Sequence, residues 1–277
     1  MTAAFRTTAI ALVLTLPGVA RAEVDQATVD AIFTAMSLSE MIEIMQTEGI
    51  DYGAQIADDL FPGRPTDAWE AAVNEIYALD RMEEAVRTGL GATLAPEAAP
   101  DIIAFFSSDL GQEIISLEVA ARRALMDDSV EQAAEEAAAQ ALIDDTPRAQ
   151  LARAFVETND LVETNVVGAL NASYAFYLGL QQGGGLPSGL SEGDLLADVW
   201  AQEPEIRQNT TEWVYSYLML AYQPLSDDEL QAYIDFSETP AGQSINTALF
   251  AAFDTMYEDI SAALGRGAAV HMAGEDL

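Results

Sequence analysis

Phe236-Ser237-Glu238-Thr239-Pro240-Ala241-Gly242-Gln243-Ser244-Ile245 reads as a corner between two helices. The helix before it opens at Ser226, an N-cap residue followed by the acidic first turn Asp227-Asp228-Glu229, with Glu229 placed to close a capping box. That helix is predicted to end near Phe236. Thr239 then has the chemistry of a second N-cap, and Pro240 stands at the first helical position, where a missing N–H costs nothing and the ring presets φ. Gly242, inside the new first turn, forfeits about 1 kcal/mol of helix propensity relative to alanine. A close approach of the preceding helix is the structural benefit expected in return.

A shorter version stands earlier, as Phe106-Ser107-Ser108-Asp109-Leu110-Gly111-Gln112-Glu113-Ile114. Ser108 takes the cap, Asp109 suits the positive helix end, and Gly111 takes the tight position. Gln243 and Gln112 either belong to this architecture or line a polar site; turn punctuation of this kind favours architecture.

Outward from the corners, apolar residues recur at three and four, as in Val29, Ile32, Phe33 and Met36, and again Met41, Ile44 and Met45. That period predicts helices, and no stretch alternates like a strand. Phe61-Pro62-Gly63-Arg64-Pro65 stops one helix, and Thr146-Pro147 restarts another. Gly183 to Gly189 reads as a mobile connection, since it follows a helix and lacks the Lys-Ser/Thr ending of a phosphate loop. Ordered matches pair Ser39-Glu40-Met41-Ile42-Glu43 with Asn159-Asp160-Leu161-Val162-Glu163, Trp69 with Trp200, and Glu75-Ile76 with Glu205-Ile206, before the two corners. The expectation is an all-α chain of two tandem related units, 23–126 and 151–264. An Ala/Glu-rich bridging helix or hinge over 127–150 joins them, and a Gly-rich flexible tail covers 265–277.

Residues 1–22 have Arg6, an apolar run from Ala9 to Leu16 and the small-x-small end Ala20-Arg21-Ala22, the pattern of a secretory signal peptide cleaved after Ala22. A periplasmic or secreted protein beginning at Glu23 is expected, with no membrane span, since no later stretch is long and apolar enough. There is no cysteine, hence no disulfide or thiol chemistry, and no lysine. Two of the 11 basic residues leave with the peptide, so the mature chain sets 9 against 46 acids, a net charge of −37. Such a surface repels nucleic acid and anionic headgroups and favours cations or basic partners, although it also simply keeps a protein soluble.

The corner Phe236 to Gln243, after the acidic start Leu225-Ser226-Asp227-Asp228-Glu229-Leu230, resembles the signature of the bacterial family catalogued as domain of unknown function 2059. That signature has an aromatic pair, a Ser or Thr, a Pro and then Gly. The resemblance is strongest over roughly the last sixty residues, and in the earlier copy Asp109 stands where Pro is usual. It implies a secreted or periplasmic all-α protein, with two tandem copies, and gives no catalytic residues.

Catalytic inventories are thin. His271 is the only histidine, in the Gly-rich tail where a solvated role is expected, so His-based relays, triads and His-pair metal sites are excluded. No cofactor, catalytic residue or metal ligand is assigned. Asp58-Asp59, Asp127-Asp128, Asp144-Asp145 and Asp227-Asp228-Glu229 offer oxygen ligands for a weak divalent-cation response, but none has the spaced loop of a calcium site. The stripe of Trp213 and Tyr217, with Tyr215 and Tyr222 nearby, reads as core before it reads as the floor of an apolar ligand groove. The expected function is non-enzymatic binding of an unknown protein or apolar ligand. A calcium-responsive binder and a carboxylate-based hydrolase are the alternatives.

Overall fold

The computed structural model describes residues 24–187 and 189–274. The expected signal peptide, 1–22, lies outside the described residues. Among those described the chain is all-α, with no strand. Its elements are α1 (Gln26–Ala35), α2 (Leu38–Leu60), α3 (Asp67–Ile76), α4 (Leu79–Thr93), a 3₁₀ turn (Pro96–Ala98), α5 (Ala99–Phe106), α6 (Asp109–Ala124) and α7 (Asp128–Ile143). They continue with α8 (Pro147–Asn159), α9 (Leu161–Gln182), α10 (Glu192–Ala201), α11 (Glu203–Ala221), α12 (Asp227–Ser237) and α13 (Pro240–Ala273).

The two corners share one geometry. The Thr239 hydroxyl accepts from the Gly242 N–H at 3.0 Å, and the Ser108 hydroxyl accepts from the Gly111 N–H at 3.1 Å. A Cβ on Gly242 would sit 2.2 Å from the Phe236 carbonyl oxygen, and one on Gly111 2.2 Å from that of Phe105. Only glycine lets α12 approach α13, and α5 approach α6, this closely. Gln243 Nε2 donates to the carbonyls of Ser237 (2.7 Å) and Thr158 (3.1 Å). Gln112 Nε2 donates likewise to those of Phe106 (2.5 Å) and Ala35 (2.8 Å). Each glutamine thus ties the end of the preceding helix to the end of an earlier one, satisfying carbonyls that a helix terminus leaves open.

The runs α1–α6 and α8–α13 repeat the same neighbours. α1 packs on α4 and α5 as α8 does on α11 and α12, and α2 packs on α3, α4 and α6 as α9 does on α10, α11 and α13. Crosswise, α4 lies on α13 and α11 on α6. Phe105 and Phe236, which occupy the same place relative to their corners, stack on each other with ring centres 3.9 Å apart and planes 5° apart. Contact between equivalent positions is what an approximate two-fold arrangement produces.

The runs nevertheless share one core. A single cluster of buried apolar side chains extends from Val24 to Ala269 and includes residues of both. α13 packs on α2, α3 and α4 as well as on α9 and α12. The segment expected as a hinge is α7, whose buried Ala134 and Ala138 allow it to lie along α11.

Three sequence matches, Trp69 with Trp200, Glu75-Ile76 with Glu205-Ile206 and Met41 with Leu161, do not survive in three dimensions. Trp69 is fully buried in α3 and donates to the Gly53 carbonyl at 2.7 Å, whereas Trp200 in α10 is 63% exposed. Ile76 ends α3, while Ile206 lies in the first turns of α11. The structural register pairs Leu38 with Leu161, because Ser37 and Asp160 hold the left-handed junctions of α1 with α2 and α8 with α9, at φ 48° and 50°. The extra length of the second run is divided among the α9–α10 connection, the longer α11 and the segment from the end of α11 to the end of α12.

The glycine-rich end is also not a tail. Residues 265–273 are the last turns of α13, and His271 is buried with its ring 4.4 Å from that of Phe61. Gly265 and Gly179 serve a close crossing of α13 and α9. A Cβ on Gly265 would lie 2.1 Å from the Phe176 carbonyl oxygen, and one on Gly179 2.3 Å from that of Ala262. The Arg64 guanidinium donates to the carbonyls of His271 and Met272, capping the helix end.

Candidate functional site

A cavity of about 620 Å³ opens between α2, α6, α9, α11 and α13, and the corner side chains Phe106, Phe236 and Tyr233 also border it. The walls are mostly apolar. Charge enters mainly from α6, whose stripe Ile115, Glu118, Arg122 faces inward at helical spacing.

Glu118 is the centre of a hydroxyl cluster. Tyr222 donates to its Oε1 at 2.6 Å, Tyr217 donates to its backbone carbonyl at 3.2 Å, and Tyr233 lies in the same lining. Its remaining accessible surface faces the cavity. Burial pushes the carboxyl up to about 7, against the hydrogen bond from Tyr222, which favours the charged form. Burial, and then the nearby Glu118, hold Tyr222 and Tyr233 well above the usual phenol range, so both stay protonated.

Arg122 does not compensate Glu118, because it is held by Glu48 of α2 through Nε to Oε1 at 3.0 Å and Nη2 to Oε2 at 2.7 Å. Burial alone would lower its pKa, but the bonds to Glu48 more than offset that. The guanidinium also lies 5.5 Å from the Trp213 ring, itself stacked on Tyr217 at 5.2 Å. From α13, Asp254 adds a second carboxyl to the lining; burial, and then Glu258, raise its pKa.

The corner residues divide. Phe106, Phe236 and Gly242 border the cavity, whereas Ser108, Gly111, Gln112, Thr239, Pro240 and Gln243 build the turns behind it. Trp213, Tyr217 and Tyr222 line it while packing against the core, so the two readings of that stripe coincide; Tyr215 does not line it. Nothing in the sequence alone sets Glu48 and Asp254 apart from the other acids. Glu118 and Arg122 do carry a signal, as charges on the same helical stripe as Ile115, which the reading by motif passes over.

The adjacent acids elsewhere serve helix ends. Asp127 accepts from the Ser129 N–H at 2.9 Å, Asp145 pairs with Arg153, and Asp227 pairs with Arg148 at 3.0 Å. Glu229 closes the capping box with Ser226. Among the described residues no group of three or more His, Asp or Glu is arranged to hold a metal ion, and no helix is long and apolar enough to cross a membrane.

Neither the curated proteins nor the solved structures provide a match to the chain. The family match falls on the first corner and not on the second, the reverse of the expectation that the last sixty residues match best. Residues 80–140, spanning α4, the corner Ser108-Gly111-Gln112 and the inward-facing Glu118 and Arg122, match the model of DUF2059, described as an uncharacterized protein conserved in bacteria.

Proposed function

We propose that this chain is an exported, non-enzymatic binding protein that holds a small, largely apolar molecule in the cavity between α6, α9, α11 and α13. The observation that carries the reading is the asymmetry of the cavity. Leu249 and Phe253 of α13 stand as far past Gly242 as Glu118 and Arg122 of α6 stand past Gly111, and all four line it. At those positions α6 presents charge and α13 hydrocarbon, with Asp254 adding one carboxyl beside them, which suits an amphipathic ligand. A largely apolar cleft of several hundred Å³ with a few convergent polar groups is the usual form of a ligand site. Binding is favoured over chemistry because the partner of the Glu118 carboxyl is the Tyr222 hydroxyl, which fixes it in place.

Native mass spectrometry of protein isolated from the periplasm of a producing cell tests this. One small molecule retained per chain is expected, and its loss in Ala172→Trp, which places an indole in the cavity. An adduct equally present in that variant would move the ligand elsewhere.

A carboxylate-based hydrolase is a second reading, favoured by the carboxyl of Glu118 near neutrality and by Asp254 on another wall. Turnover of an ester or glycoside, abolished in Glu118→Gln, would replace the first reading with this one.

A further inference from the structure

The cavity is lined by two carboxyls, Glu118 and Asp254, that form no ion pair among the described residues. There is no lysine. Each arginine among the described residues is engaged elsewhere. Arg122 holds Glu48, Arg87 holds Asp30 and Glu83, Arg148 holds Asp227, and Arg207 holds Glu163 and Glu203. Arg81, Arg123 and Arg153 pair with Glu75, Glu40 and Asp145, Arg64 caps α13, and Arg266 reaches Gln182. Glu118 and Asp254 thus face the cavity without an ion pair among the described residues.

We infer that the molecule held there carries a cationic nitrogen, an amine or ammonium on an apolar body, seated against Glu118 on the α6 wall with its hydrocarbon toward Leu249 and Phe253. The inference rests on the cavity reading above and adds the chemical class of the ligand. A buried carboxyl is stable when protonated or paired, and a bound cation would supply the pairing that the described residues do not. Tyr222 already donates to the carboxyl, an arrangement that favours its ionised form once a cation arrives. Trp213 and Tyr217 add aromatic surface to the lining. An anionic head would meet two carboxyls, and a hard metal ion would need more oxygen ligands than these apolar walls provide. The acidic exterior concentrates cations near the opening.

The test compares three probes of equal chain length, dodecylammonium, dodecanol and dodecanoate, by calorimetric titration of the mature protein below their micelle concentrations. Salt of about 0.5 M suppresses loose attraction of the ammonium to the acidic exterior. Dodecylammonium is expected to bind at one per chain and at least about tenfold more tightly than the other two. Glu118→Gln should remove that preference, and Asp254→Asn should reduce it partly. Equal or tighter binding of dodecanol or dodecanoate, or an ammonium preference that persists in the doubly substituted protein, would overturn the cationic assignment while leaving the cavity reading in place. Failure of all three probes to bind would overturn the cavity reading itself.

Discussion

Replacing Glu118 with glutamine is expected to stabilise the folded chain, and to do so more at high pH. The carboxyl titrates near 4.5 when solvated and is pushed up to about 7 in the folded cavity, burial being the cause. For an acid raised on folding the sign runs against alkaline stability. Below about pH 4.5 both states are protonated and the site contributes nothing. Between there and pH 7 the unfolded chain releases its proton first, and stability falls; above 7 the full cost is present. Each tenfold difference in proton affinity between the folded and unfolded chain is worth about 1.4 kcal/mol, so the wild-type chain should bear about 1 kcal/mol near pH 5.5 and about 3 kcal/mol near pH 8.5. The tyrosines around the carboxyl titrate well above this window and stay protonated throughout. Glutamine keeps an acceptor for Tyr222 and carries no charge. Urea unfolding followed by circular dichroism, for both proteins across about pH 5.5 to 8.5, should show a stability gap favouring the variant that widens by about 2 kcal/mol. A gap that is constant with pH, or favours the wild type at the alkaline end, would refute the description of Glu118 as an uncompensated buried carboxyl.

Other outcomes follow from the same contacts. Gly242→Leu forces a side chain against the Phe236 carbonyl and should cost about 3 kcal/mol or more in urea unfolding, with Gly111→Leu behaving alike. Gln243→Ala, which gives up hydrogen bonds to Ser237 and Thr158, should cost only about 1–2 kcal/mol in the same assay. Arg122→Ala leaves Glu48 unpaired and should cost roughly 2–3 kcal/mol, less than a fully buried pair because the Glu48 side chain keeps 33% of its surface; Glu48→Gln in the same chain should recover part of the loss. Protein recovered from the periplasm should begin at Glu23, and an intact Met1 in its mass spectrum would remove the expectation of a signal peptide.

The helices are legible in the sequence because their ends are marked by local chemistry. Ser108, Thr239, Ser226 and Thr146 cap as their sequences predict, since a cap depends on residues three positions apart. What lies between distant helices is not legible in this way. Trp69 and Trp200 look alike in sequence, yet one is buried in α3 and the other exposed in α10, because burial is decided by what packs on top. Gly265 and Gly267 suggest a loose tail, since a glycine that opens a helix to solvent and one that admits a neighbouring backbone are the same letter. The candidate site is half legible. Trp213, Tyr217 and Tyr222 stand out as an aromatic stripe, but Glu118 looks like one more acid among 46 until Tyr217 and Tyr222 bring hydroxyls onto it. Its place on the stripe of Ile115 is the available sign.

The most direct measurement of the central claim is a titration of the mature protein with the uncharged apolar fluorophore Nile red, beside Ala172→Trp and a surface control such as Asp101→Asn. Saturation near one dye per chain, lost in Ala172→Trp and retained in the control, is the result expected if the cavity is a ligand site. Binding that fails to saturate, or that is the same in all three proteins, would contradict it.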